Sequence, residues 1–124
     1  MEKVHEVIVI VGPTAIGKTK LAIDLAQYWT CNIISADSRQ FYKEMSLGTA
    51  VPDNRELSAA PHFLIQHKSI FDDYTVGDFE REALSLIEKF SKNHKRTVVV
   101  GGSGLYINAL LYGLDDFPEV PKAI

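Results

Sequence analysis

An α/β fold with a mainly parallel sheet is predicted by three features of this 124-residue sequence. Short runs of β-branched residues alternate with amphipathic stretches of helical period, and glycine-rich turns separate several of them. Continuous apolar runs suit strands covered on both faces, and such strands are joined in parallel by crossover helices.

Val7-Ile8-Val9-Ile10-Val11 is the first run and stops at Gly12-Pro13. Lys18 to Trp29 then sets Leu21, Ala22, Leu25, Ala26 and Trp29 on one helical face. Asn32 to Ala36 reads as a second strand with Asp37 just past its end, and Gly48 to Ser58 as a polar loop. Phe63-Leu64-Ile65 is a candidate third strand. Thr75-Val76-Gly77-Asp78 has the form of a capping box, and the helix after it repeats Phe79, Ala83, Leu86, Ile87 and Phe90 at 3–4 spacing. Lys92, Lys95 and Arg96 follow, readable as a solvated helix end favoured by the macrodipole or as an RNA-facing patch. Thr97 to Val100 is another buried-strand run, leading through Gly101-Gly102-Ser103-Gly104 into an apolar helix from Leu105 to Leu111. Three or four strands fall short of the usual sheet of about five or six. The expectation is therefore one domain, residues 1–124, that is the N-terminal part of something larger, truncated before its C-terminal part.

Composition narrows the class. With 46% hydrophobic and 23% charged residues the chain is neither disordered nor collagen-like. The single Cys31 gives no disulfide framework. A net charge of −3 leaves no global basic footprint for nucleic acid, so any polyanion must be held by local chemistry or by residues outside this segment. No run approaches the roughly 18 apolar residues of a membrane span, and the opening segment lacks the form of a signal peptide. The cytoplasm is the expected compartment, and no membrane partner is expected.

Chemistry is concentrated in Gly12-Pro13-Thr14-Ala15-Ile16-Gly17-Lys18-Thr19, a complete G-x-x-x-x-G-K-[ST] between a buried strand and an amphipathic helix. The glycines allow backbone angles and close approach that a Cβ would block. Loop N–H groups and the helix N-terminus converge on an anion, Lys18 adds a point charge, and the Thr19 hydroxyl is a ligand for Mg²⁺. The fold class is accordingly a P-loop NTPase-like three-layer sandwich. Ordinary P-loop NTPases add an Asp at the end of a later apolar strand. Here that strand ends in Gly101-Gly102, which counts against a motor ATPase or a GTPase.

The carboxylate best placed at a strand's C-terminal end is Asp37, in Ser35-Ala36-Asp37-Ser38-Arg39-Gln40-Phe41-Tyr42. In open α/β sheets ligands bind at that edge. Asp37 fits a general base there, and it equally fits the N-cap of a short helix. From the residues alone both stand, as do a small-molecule kinase and a diphosphate-binding module without catalysis.

The P-loop, Asp37-Ser38-Arg39-Gln40 with Tyr42, Gly48-Thr49-Ala50 and Gly101-Gly102-Ser103-Gly104-Leu105-Tyr106, in that order, resemble the tRNA dimethylallyltransferase (tRNA isopentenyltransferase) family. Pro61-His62 and Asp78-Phe79 also fall where that family has such residues. The resemblance implies transfer of a dimethylallyl group from dimethylallyl diphosphate to N6 of the adenosine 3′-adjacent to the anticodon in tRNAs. The P-loop, Gly12 to Thr19, would hold the diphosphate, with Mg²⁺ on Thr19, and Asp37, Lys18 and Thr19 would be the catalytic residues. Asp37, Ser38, Arg39, Gln40 and Ser103 would contact tRNA. Ser103 stands where the family usually has Thr, keeping the hydroxyl and losing a methyl. The resemblance further implies a longer chain whose remainder completes the tRNA-binding surface and the diphosphate clamp. This segment alone is expected to be inactive, and the enzyme to be a monomer. An isopentenyltransferase acting on free AMP is set aside by the resemblance alone.

The remaining polar residues read as structural. His5, His62, His67 and His94 lack metal-site spacing, Asp72-Asp73 and Asp115-Asp116 read as solvated loop pairs, and Tyr106 and Tyr112 as core.

Overall fold

The structure is a computed structural model that describes residues 5–11, 17–37, 54–65, 68–69, 73–101, 104–114 and 122–123. In chain order the elements are β1 (Glu6–Val11), α1 (Lys18–Trp29), β2 (Asn32–Ser35), α2 (Asn54–Ala59), β3 (His62–Phe63), α3 (Val76–Ser91), β4 (Arg96–Gly101), α4 (Gly104–Leu114) and β5 (Lys122–Ala123). All described pairings are parallel, in the five-stranded order β3-β2-β4-β1-β5. Parallel pairing places every strand's C-terminal end on one edge, with β4 inserted between β1 and β2.

The period-2 alternation of the strands divides the core in two. Val7, Val9, Ile34 and Val99 face α3 and α4, packing with Phe79, Ala83, Ile87, Phe90, Ile107 and Leu110. Ile33 and Val98 face the other way, toward Ala22, Ile23, Ala26 and Ala60. Helices thus cover both faces, and the expected three-layer α/β arrangement is what forms. Phe79 is fully buried and meets the Tyr106 ring edge-on at 5.3 Å, fixing α3 against α4.

Local chemistry sets the helix ends. The Thr75 hydroxyl accepts from the Asp78 N–H at 3.0 Å and the Asp78 carboxylate accepts from the Thr75 N–H at 2.9 Å, the reciprocal capping box expected from the sequence. These bonds, with Arg81 beside it, hold the Asp78 carboxyl below its usual range.

Several expectations are corrected. Part of the expected 48–58 loop is helix α2, because Ala60 packs under α1 and the Gln27 amide donates to the Ala59 carbonyl at 3.0 Å. A six-residue helix is stabilised by such tertiary contacts rather than by its own propensity. Strand β3 stops at Phe63 rather than Ile65, since Leu64 turns the chain at φ 64° while keeping its side chain in the core. On α1 the buried stripe is Ala22, Ile23 and Ala26; the small side chains let the helix lie close on β4, leaving Leu21 48% exposed at the rim. The chain's fifth strand, two residues beside Val7 and Ile8, was not anticipated. Tyr106 is packed as expected, but Tyr112 is 77% exposed and is not core. Arg96 belongs to β4, where its guanidinium pairs with Glu6 at 2.8 Å and lies 4.9 Å from the Trp29 ring centroid. It is neither a solvated helix end nor an open RNA contact.

His5 is buried at the opposite edge, its Nδ1 2.9 Å from the His94 carbonyl and its Nε2 2.8 Å from the Thr97 hydroxyl. Burial lowers its pKa, and burial does the same to His62. Both rings are therefore neutral in the fold where the unfolded chain would bind protons. Stability should be fully present above the ordinary imidazole value of about 6.5 and decline as pH falls through it. Denaturation midpoints at pH 7.5 and 5.5 check this, and His5→Gln should flatten the difference.

Candidate active site at the C-terminal sheet edge

β1 ends at Val11 and α1 begins at Lys18, so both ends of the Gly12–Thr19 segment are fixed by regular elements. Gly17 occupies φ 107°, a left-handed conformation that side chains rarely adopt, so glycine is required at this position. The Leu21 N–H bonds the Gly17 carbonyl at 2.9 Å and starts the helix. Among the described residues no side chain caps this N-terminus, and no acid lies in its first turn. A helix N-terminus carries a partial positive charge that favours anions, and Lys18 and the half-buried Thr19 stand in its first turn.

Lys18 Nζ donates to the Gly101 carbonyl at 3.2 Å, reaching from β1's end to β4's end. On the other flank of β4 the Ala36 N–H donates to the Val100 carbonyl at 2.8 Å, carrying the β2–β4 ladder one step beyond β2. Asp37 comes next, 9% exposed, its N–H 3.4 Å from the Ser35 hydroxyl. At this edge Lys18 Nζ bonds the end of β4, and Asp37 follows the neighbouring β2, with β4 itself ending in a residue that carries no acid.

Of the site residues read from the sequence, Gly17, Lys18, Thr19 and Asp37 lie at this one edge. Gly12, Pro13, Thr14, Ala15 and Ile16 of the glycine turn, together with Ser38, Arg39, Gln40 and Ser103, lie outside the described residues, as do His67, Asp72 and the Asp115-Asp116 pair. Pro61-His62 and Asp78-Phe79 act structurally: the Pro61 carbonyl accepts from the Ile33 N–H, His62 pairs with Ile33 in the sheet, Asp78 caps α3 and Phe79 fills the core. Gly101 and Ala36 were not read as site residues. In the sequence they are a glycine and an alanine where two buried strands end, and the close approach of their backbones is visible only in the structure.

A family model described as IPP transferase matches residues 40–124. The chain belongs to the IPP transferase family. A tRNA dimethylallyltransferase of Flavobacterium johnsoniae is 58% identical over 91% of this chain, which spans 37% of that protein. One from Flavobacterium psychrophilum is 60% identical over 94% of this chain and 38% of its own length. Among solved structures, a full-length tRNA isopentenylpyrophosphate transferase of Bacillus halodurans superposes with a TM-score of 0.80 at 39% identity, covering 89% of this chain and 36% of that one. A eukaryotic dimethylallyltransferase acting on tRNA superposes at 0.79 with 35% identity, covering 86% of this chain and 26% of that one. This IPP transferase segment thus spans well under half the length of its relatives, with their α/β architecture.

Proposed function

We propose that the full-length protein carrying this segment transfers a dimethylallyl group from dimethylallyl diphosphate to N6 of the adenosine 3′-adjacent to the anticodon in tRNAs. The observation that carries this reading is the placement of Lys18 and Asp37 on the two flanks of β4's end. The tRNA dimethylallyltransferase names of the relatives support it. In this reading residues 1–124 are the N-terminal part of a P-loop domain, working as a monomer in the cytoplasm; among the described residues no helix is long and apolar enough to cross a membrane.

The reaction breaks the C1–O bond of the donor and forms a bond from N6 to C1. Negative charge collects on departing pyrophosphate, where the first-turn N–H groups of α1, the glycine turn from Gly12 and Lys18 stabilise it. The N6 proton has to leave, and Asp37 takes it. The burial of Asp37 beside the end of β2 supports that role, since a confined carboxylate loses little freedom on accepting the proton. Ser38, Arg39, Gln40 and Ser103 hold the RNA, whose adenine leaves its stack to enter the site.

Among the described residues no three His, Cys, Asp or Glu side chains come together as a metal cage. A single hydroxyl suits Mg²⁺ held largely by phosphate oxygens and water, the usual manner of its binding at diphosphates. Thr19 would hold the ion, which when bound supplies charge neutralisation at the leaving group.

Calorimetry of the full-length protein with magnesium tests the reading. Dimethylallyl diphosphate should bind, whether or not ATP also does, and an anticodon stem-loop should gain one five-carbon group per target adenosine. Firm ATP binding without affinity for the five-carbon donor would overturn it in favour of a kinase.

A further inference from the structure

Gly101 is buried at the end of β4, between the two groups assigned to the chemistry. A Cβ built on it would lie 2.8 Å from the Ala36 carbonyl oxygen, 3.0 Å from its carbon and 3.0 Å from Ala36 Cβ. Two of these neighbours are backbone, and that backbone is tied to β4 by the Ala36 N–H to Val100 carbonyl bond of 2.8 Å. A side chain at 101 therefore fits only if the Ala36 peptide moves. The Ala36 carbonyl carbon is bonded to the nitrogen of Asp37, so the displacement passes to the proposed proton acceptor in one bond. Meanwhile the carbonyl of Gly101 itself receives Lys18 Nζ at 3.2 Å. One residue without a side chain touches both halves of the site through its backbone.

We infer that Gly101 is a positioning residue: its lack of a Cβ sets the separation between the diphosphate-binding Lys18 and the proton-accepting Asp37. This rests on the function proposed above. Active-site groups need placement to within about 0.5 Å, the scale of shift that a Cβ at 101 would impose. A misplacement of about 1 Å can cost some 10²-fold in rate.

The test is a double-mutant cycle in the full-length enzyme, at a temperature where circular dichroism shows every variant folded. Gly101→Ala should lower kcat about 10- to 100-fold, with KM for dimethylallyl diphosphate changed less than about threefold. In the Asp37→Ala background the same substitution should cost almost nothing further, because the group it displaces is already gone. A loss equal in both backgrounds would mark Gly101 as a packing residue only and overturn the inference, as would unchanged kcat in Gly101→Ala. If Gly101→Ala does not fold, the cycle is run on Ala36→Gly/Gly101→Ala, which removes one of the three crowded contacts. Full activity in Asp37→Ala alone is a separate result: it removes Asp37 from the mechanism, and the inference falls with that reading.

Discussion

Asp37→Ala in the full-length enzyme is expected to lower kcat about 10²- to 10⁴-fold, the usual worth of a general base. Affinity for dimethylallyl diphosphate should stay close to wild type, since the function proposed above assigns the donor to Gly12–Thr19 and not to Asp37. Asp37→Asn should lose nearly as much: it keeps the shape and an acceptor oxygen but cannot take up the N6 proton. The residue's place makes it separable from a structural role. It lies two residues past the end of β2 and is 9% exposed, with its N–H 3.4 Å from the Ser35 hydroxyl. Were Asp37 an N-cap and nothing more, its removal would cost about 1 kcal/mol of stability and leave turnover intact. Single-turnover transfer to an anticodon stem-loop, read beside denaturation midpoints, distinguishes the two. Wild-type turnover with a lowered midpoint would assign Asp37 to capping.

The fold was legible wherever a signal was local and repeated. Val7 to Val11 and Thr97 to Val100 are uninterrupted β-branched runs because both faces of β1 and β4 are covered. The capping box announced the start of α3, because Thr75 and Asp78 satisfy each other's backbone donors within one turn. What stayed hidden depends on distant partners. Helix α2 leans on Gln27 from α1, strand β5 is two residues long beside β1, and Leu64 turns the chain in a conformation its residue type disfavours. The site followed the same division. Gly17, Lys18 and Asp37 are visible because glycine, cation and carboxylate have few reasons to stand where they do. Gly101 is not, since its importance lies in how closely the Ala36 backbone approaches, and no one-dimensional pattern carries that distance.

Lys18→Ala should have the second large effect. The ammonium lies beside the N-terminus of α1 and bonds a strand-end carbonyl at 3.2 Å, so it reaches the edge where a diphosphate would sit. Its charge matters more as the C1–O bond lengthens than it does on binding, because the leaving pyrophosphate gains negative charge only in the transition state. Removing one preorganised donor of this kind costs about 10²- to 10³-fold in kcat. The dissociation constant of dimethylallyl diphosphate should rise by a smaller factor than kcat falls. Lys18→Arg preserves the charge but spreads it over a planar fork in place of a compact ammonium, and should recover binding more fully than turnover. Equilibrium donor binding and single-turnover rates measured on the same variants check this order. A Lys18→Ala enzyme that binds weakly yet turns over normally at saturating donor would make Lys18 a ground-state contact, leaving leaving-group stabilisation to the backbone N–H groups of the glycine turn and the first turn of α1.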